Sequence, residues 1–174
     1  MKLYLKILIF LTSLAGVAWL GAYVARLFMS YSFFVPPTLN LRPEFQNTDL
    51  TAVFQVLIPL VNLTTVSFLF FLVLLIITIS VARPSLRKNG WLFISLASIL
   101  ITSPFEIYSI VTYDWAYLNA GLSGQFDSNL LLQNLITRID KMSGFPIIQI
   151  CSYAAIIFLA IYKPLVKTQF NNED

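Results

Sequence analysis

The sequence predicts an all-α integral membrane protein, with four transmembrane helices in an up-and-down bundle and with amphipathic or kinked helical segments on its outer side. Of the 174 residues, 58% are hydrophobic and only 11% are charged, whereas about a quarter of the residues of a soluble domain are charged. Four predominantly apolar runs are each long enough to cross a hydrocarbon core of roughly 30 Å. Cations gather between these runs, and we therefore expect a single membrane domain over residues 1–174.

The first span is predicted at about residues 7–29. Lys2 and Lys6 precede an apolar run that carries no charge until Arg26. A cleaved signal peptide is the alternative, but this run is longer than the apolar region of a usual signal peptide. We therefore expect a retained helix whose amino-terminal end is cytoplasmic.

An outer loop is predicted over residues 31–49, because its three prolines prevent a continuous helix. Either Thr48 or Asp49 is expected to cap the helix that follows. The second span is predicted at residues 60–82. No charge occurs from residue 50 to residue 82, and a helix of that length would measure about 50 Å, which exceeds the hydrocarbon core.

Pro59 is the expected site of a bend in this long apolar segment. Proline removes a backbone hydrogen bond and clashes with the preceding turn of a helix. We therefore expect a short outer half-helix over residues 50–58, lying partly above the membrane or in its interface, before the second span begins.

A cytoplasmic turn is predicted over residues 83–90. Arg83, Arg87 and Lys88 lie in this turn, and a proline and a glycine interrupt the helices on either side. Cytoplasmic loops of membrane proteins carry an excess of Lys and Arg. These three cations are therefore predicted to set the topology of the chain.

The third span is predicted at about residues 91–112, with Trp91 and Tyr113 near the two membrane surfaces, where aromatic residues are enriched. A second outer loop is predicted over residues 114–143. The fourth span is predicted at residues 145–163, with Pro146 in its first turn, where proline is tolerated.

An amphipathic helix is predicted within the second outer loop. Asp127 or Ser128 is expected to cap it, and helical spacing gives it a single apolar face. We expect this helix to lie on the bilayer surface or to cover the end of the bundle. The apolar face consists of Leu131, Leu135, Ile139 and Met142.

The distribution of cations assigns the sidedness of the whole chain. The predicted inner segments contain Lys2, Lys6, Arg83, Arg87, Lys88, Lys163 and Lys167, whereas the predicted outer segments contain Arg42, Arg138 and Lys141. By the positive-inside rule, both termini are cytoplasmic. Short loops and the scarcity of cysteine favour a bacterial inner (plasma) membrane.

The sequence lacks the residue types that several classes of active site require. The chain has no histidine and one cysteine, which removes histidine-based metal, haem and general-base sites as well as an intrachain disulfide. The formal charge of +3 does not indicate nucleic-acid binding, because the cations never form a run. We expect no cofactor and no metal site.

Four polar residues are candidates for a ligand or ion-pair site: Arg26, Asn62, Glu106 and Gln149. At 1.5 Å per residue, Arg26 lies about 28 Å and Glu106 about 22 Å from the inner surface, so the two could meet near the outer edge of the core. An ionisable residue within a span is by default a functional-site hypothesis. A structural ion pair and a snorkelling arginine are the alternatives.

The function expected from these observations is that of a small non-enzymatic integral membrane protein, either an accessory or interaction subunit or a lipid-binding four-helix protein. The alternative is a small transporter or channel component with an outer polar site around Glu106 and Arg26. Expected partners are membrane lipid and either another membrane protein or a second copy of the chain. An enzyme that acts on a lipid is less favoured, and no catalytic residue is assigned.

Overall fold

The computed structural model describes residues 2–36, 38–46, 49–84, 86 and 89–165. The topology-setting roles predicted for Arg87, Lys88 and Lys167, and the alternative cap at Thr48, lie outside this part of the chain. Helices joined by short turns account for most of the described residues, and an isolated β-bridge pairs Phe34 with Leu41. The elements are α1 (Leu3–Ser32), α2 (Pro43–Gln46), α3 (Leu50–Ala82), α4 (Gly90–Ser109), a π-helical turn (Ile110–Asp114), α5 (Trp115–Ser123), α6 (Ser128–Lys141) and α7 (Phe145–Tyr162).

Four helices in the described part of the chain are long and apolar enough to cross a membrane. They are α1, α3, α7 and the continuous helix Gly90–Ser123, which joins α4, the π-helical turn and α5. The all-helical class and the four long apolar helices predicted from the sequence are therefore confirmed.

Helices α1 and α3 pack along each other closely. A Cβ atom on Gly16 would lie 3.1 Å from the Phe71 ring, so the absence of a side chain at Gly16 lets α3 approach α1. The Thr12 and Thr78 hydroxyls are 2.6 Å apart and form a hydrogen bond between the two helices. Helices α1 and α3 together form one side of the structure.

Helix α3 is unbroken from Leu50 to Ala82, with Pro59 inside it. We expected an outer half-helix over residues 50–58, lying partly above the membrane or in its interface. These residues belong to the same helix as the second span, and Phe54 and Leu57 are fully buried, because α5 and α6 provide apolar partners for the first turns of α3. The cap is Asp49, whose carboxylate accepts from the Thr51 amide at 2.9 Å. Hydrogen bonds from the side chain and the backbone of Thr51 hold the pKa of Asp49 below its usual value.

Helix α6 covers the end of the structure at which α3 begins. Asp127 caps it by accepting from the Asn129 amide at 2.9 Å. The predicted apolar face is buried at Leu131, Leu135 and Ile139, and Tyr117 of α5 donates to the Leu131 carbonyl at 2.8 Å. We call this end the lid end, and we call the opposite end, where α3 ends at Ala82 and α4 begins at Gly90, the basic end.

Candidate functional site

A pair of opposite charges is buried between α1 and the π-helical turn. Arg26 donates to both carboxylate oxygens of Asp114, from Nη1 to Oδ2 at 2.7 Å and from Nη2 to Oδ1. The two side chains are 2% and 0% exposed. Charge-assisted bidentate pairs of this kind are among the strongest hydrogen-bonded contacts in proteins.

A second arginine reaches the same place from α6. Arg138 donates from Nε to the Ser109 hydroxyl at 2.7 Å, and the same Nε lies 3.7 Å from Asp114 Oδ1. Its Nη2 lies 4.0 Å from Glu106 Oε1. We call Arg26, Glu106, Asp114 and Arg138 the charge cluster; it contains two cations and two acids, so its formal charges balance.

The π-helical turn explains why both acids reach the cluster. Glu106 and Asp114 lie about two turns apart on the continuous helix, and in regular α-helix they would point about 80° apart. A π turn takes up one extra residue, which removes about 100° of rotation and brings the two positions to within about 20°. The turn at Ile110–Asp114 therefore aligns the two carboxylates on one face.

The structure pairs Arg26 with Asp114, whereas we expected it to meet Glu106. Asp114 was assigned to the start of an outer loop at residues 114–143, yet the helix continues to Ser123 and buries this residue. Arg138 was counted among the cations of the predicted outer segments and was not among the candidate site residues. A signal for Asp114 existed in the sequence, because apolar residues at helical spacing continue past residue 112: Ile110, Tyr113, Tyr117 and Ala120.

Gln149 lies at the depth of Glu106. The Tyr153 hydroxyl on α7 is next to Thr102 on α4. Since α4 and α7 run antiparallel, one turn further toward the lid end brings Glu106 and Gln149 to the same level. Neither amide atom of Gln149, nor Glu106 Oε2, has a hydrogen-bond partner in the described part of the chain, although the two side chains are 0% and 1% exposed.

Asn62 lies away from the charge cluster, at the contact between α3 and α5. A Cβ atom on Gly121 would lie 2.0 Å from Asn62 Nδ2. Gly121 is about 10 Å along the helix axis from Asp114. The structure therefore places Asn62 at the crossing of α3 and α5 and not in the charge cluster.

This crossing predicts the effect of adding a methyl group to Gly121. Gly121→Ala is expected to lower the free energy of unfolding by about 1–3 kcal/mol, because the Asn62 amide has to move within a packed contact. The matched control is Gly21→Ala, since a Cβ atom at Gly21 meets nothing within 4 Å. Denaturant or thermal unfolding of both variants tests this, and equal stability of the two would contradict it.

A small cavity opens beside the charge cluster at the lid end. Its volume is about 20 Å³, and Tyr23, Ser30, Ser109 and Arg138 are among its lining residues. The buried Ser30 hydroxyl has no partner among the described residues. This space is sufficient for about one water molecule.

A much larger groove of about 490 Å³ lies in the half of the structure nearer the basic end. All four long helices line it, from Leu20, Ile99 and Tyr153 to Ala82, Pro84 and Trp91, and its surface is predominantly apolar. Four of its hydroxyl groups, those of Thr12, Ser13, Thr78 and Ser95, lie 2.7–2.9 Å from backbone carbonyls of their own helices. The Tyr153 hydroxyl, in contrast, has no partner among the described residues. We call this space the basic-end groove.

Trp19 separates the groove from the small cavity. Its side chain is 0% exposed, and its ring centroid lies 5.5 Å from that of Tyr23, 5.2 Å from that of Phe68 and 4.5 Å from that of Tyr153. Tyr23 lines the small cavity and Tyr153 lines the groove. The aromatic cluster around Trp19 therefore forms the floor of the groove.

Comparison with protein-family models, curated proteins and solved structures finds no match for this chain. In the part of the chain that the structure describes, no three residues among Cys, Asp and Glu come together as a metal site would require. The features of this chain that bear on function are the charge cluster, the two cavities and the distribution of charge.

Proposed function

We propose that this chain is a non-enzymatic membrane protein whose four long helices form a membrane-spanning bundle, and that it binds one lipid with an acyl chain in the basic-end groove. In this proposal the basic end faces the cytoplasm, because cations favour that side. Of the two non-enzymatic functions considered, accessory subunit and lipid-binding protein, the groove favours the second.

The size of the groove supports this proposal. Ligand pockets typically measure about 300–1,000 Å³ and are predominantly apolar, and the groove measures about 490 Å³. It runs along α1 from Leu20 to Ile9, about 16 Å at 1.5 Å per residue. This length matches one leaflet, which is half of a hydrocarbon core of roughly 30 Å.

The position of the groove supports an occupant from the inner leaflet. The floor at Trp19 lies near the middle of α1, and the opposite end of the groove reaches Pro84 and Trp91 at the basic end. A chain that enters from the basic end would therefore stop near the centre of the bilayer. The headgroup would stay at the cytoplasmic surface.

The chemistry of the lining supports binding without reaction. Proton transfer requires a positioned acid or base, whereas the lining residues are aliphatic, aromatic and hydroxyl-bearing. Ser13 and Ser95 already donate to backbone carbonyls, and the Thr12 and Thr78 hydroxyls are bonded to each other, so among these lining hydroxyls that of Tyr153 is the one without a partner in the described part of the chain. The groove is suited to hold a hydrocarbon chain.

A transporter or channel component is the second candidate, favoured by the unpartnered atoms of Glu106 and Gln149. Buried polar groups without partners are costly, and inside a membrane they point to a functional site. A route across the protein would have to join the small cavity to the groove. It would require Trp19 to move.

Filling the groove tests lipid binding. Ala160 lines the groove and Ala155, on the same helix, does not. Ala160→Phe is expected to weaken the retention of phospholipid at least tenfold, which corresponds to about 1.4 kcal/mol, whereas Ala155→Phe retains it. Native mass spectrometry of the purified protein, together with crosslinking of a phospholipid that carries a photoactivatable acyl chain, measures this.

The proposal fails if wild-type protein retains no phospholipid after mild detergent purification. It also fails if both phenylalanine variants retain lipid equally and crosslinks fall outside the groove. Crosslinks to residues of several helices that line the groove would support it.

A further inference from the structure

The basic-end groove can accommodate a hydrocarbon chain but offers no place for a charged headgroup. Among the described residues, no Asp, Glu, Lys or Arg lines it. Burying an unpaired charge in apolar surroundings is strongly unfavourable. The headgroup of a bound lipid must therefore remain at the groove mouth, which we define by Ala82, Pro84 and Trp91.

Two helices that end at this side each finish with a cation in the left-handed backbone conformation. Arg83 ends α3 with φ of 41°, and its amide donates to the Ile79 carbonyl at 2.9 Å. Lys163 ends α7 with φ of 46°, and its amide donates to the Leu159 carbonyl at 2.9 Å. Both side chains are exposed.

The end of α7 is joined to the start of α4 at this place. The Gly90 amide donates to the Leu165 carbonyl at 3.2 Å, and a Cβ atom on Gly90 would lie 2.9 Å from Leu165 Cβ. Because Trp91 follows Gly90, this contact holds the region of Lys163 near the groove mouth. Arg83 lies between two residues that line the groove, Ala82 and Pro84.

The described acids lie elsewhere. Asp49 caps α3 and Asp127 caps α6 at the lid end, Glu106 and Asp114 belong to the charge cluster, and the others are Glu44 on α2 and Asp140 on α6. The basic end carries Lys2, Lys6, Arg83 and Lys163 among the described residues. This charge is complementary to an anion at the groove mouth.

We infer that the lipid in the groove is an anionic phospholipid of the inner leaflet, whose phosphate group is bound by Arg83 and Lys163. This inference rests on the proposed function and adds the headgroup class to it. Basic groups at the cytoplasmic ends of helices attract anionic lipid, and a guanidinium can bind a phosphate through two parallel hydrogen bonds.

The test compares phosphatidylglycerol with phosphatidylcholine of the same acyl chains, each titrated into full-length protein and quantified by native mass spectrometry. The mouth variant is Arg83→Gln with Lys163→Gln. Its control is Arg42→Gln with Lys141→Gln, which removes the same two residue types from the lid end. The cations Lys2, Lys6, Arg87, Lys88 and Lys167 remain in both variants and preserve the charge difference that orients the chain.

Wild-type protein is expected to prefer the anionic lipid, and the mouth variant is expected to lose about fivefold in that preference for each cation removed. The control variant keeps the wild-type preference. Added salt should weaken the preference, because mobile ions screen exposed charges.

Equal binding of the two lipids by the wild type, or a preference that survives in the mouth variant, would overturn the headgroup inference while the proposed function stands. An equal loss in the control variant would also overturn it, since the preference would then follow total charge. If neither lipid binds, the proposed function itself fails.

Discussion

Asp114→Asn is expected to lower the free energy of unfolding by about 3–5 kcal/mol, because it leaves the Arg26 guanidinium buried without its counter-charge. Arg26 and Asp114 are almost completely buried and share two hydrogen bonds. Arg138 also loses an acid within 4 Å. Unfolding of the purified protein in detergent or in vesicles measures the change.

Two variants make this prediction specific. Asp140→Asn removes an exposed acid from α6 and is expected to change stability by no more than about 0.5 kcal/mol. The double variant Arg26→Met with Asp114→Leu removes both charges and is expected to recover most of the loss, because apolar replacement of a buried pair is often close to neutral. A double variant as unstable as Asp114→Asn would argue against the pair as the source of the effect.

Trp19→Ala is expected to have an effect of similar size, about 3–5 kcal/mol, because a fully buried tryptophan leaves a large cavity when truncated. It also removes the floor of the basic-end groove, since Trp19 packs between Tyr23 and Tyr153. The variant is therefore expected to accept phospholipids with longer acyl chains than the wild type does.

The matched control is Trp115→Ala, because Trp115 is 58% exposed. Thermal unfolding and native mass spectrometry with phospholipids of increasing chain length measure both properties. Equal destabilisation by the two substitutions would contradict the role of Trp19 in the core. A variant with lower stability but the wild-type chain-length preference would show that Trp19 is not the floor.

The second candidate function makes a different prediction for the same variant. If the unpartnered atoms of Glu106 and Gln149 belong to a route, joining the small cavity to the groove should let protons or small solutes leak across vesicles containing Trp19→Ala. If the protein only holds lipid, the vesicles stay tight. The leak measurement therefore separates the two functions.

The continuous helix Gly90–Ser123 is longer than the third span predicted from the sequence. Trp91, Tyr113 and Trp115 resemble two aromatic belts that bound a span, so the third helix was expected to end near residue 112. Helical spacing of buried residues continues through Tyr117 and Ala120, however, and the helix ends at Ser123. An aromatic residue is equally suited to a membrane surface and to a packed core, so its identity alone did not decide the boundary.

Helix α6 shows the opposite case. Of the two predicted caps, Asp127 or Ser128, the structure has Asp127. Of the predicted apolar face, Leu131, Leu135 and Ile139 are buried, whereas Met142 lies just past the end of the helix. Capping involves residues two or three positions apart, and an apolar face follows from a period of 3.6 residues. Both signals lie within a single helix and can be read without knowing the rest of the structure.

The helical class and the four long apolar helices follow from the residue pattern alone. Each can be predicted segment by segment, because the apolar length of one segment does not depend on the other segments. The pairing of Arg26 with Asp114, the approach of Arg138 from α6 and the groove between the helices became visible only once the helices were packed together. Those features depend on the rotation and spacing of separate helices, and one extra residue in the π-helical turn is sufficient to change which side chains meet.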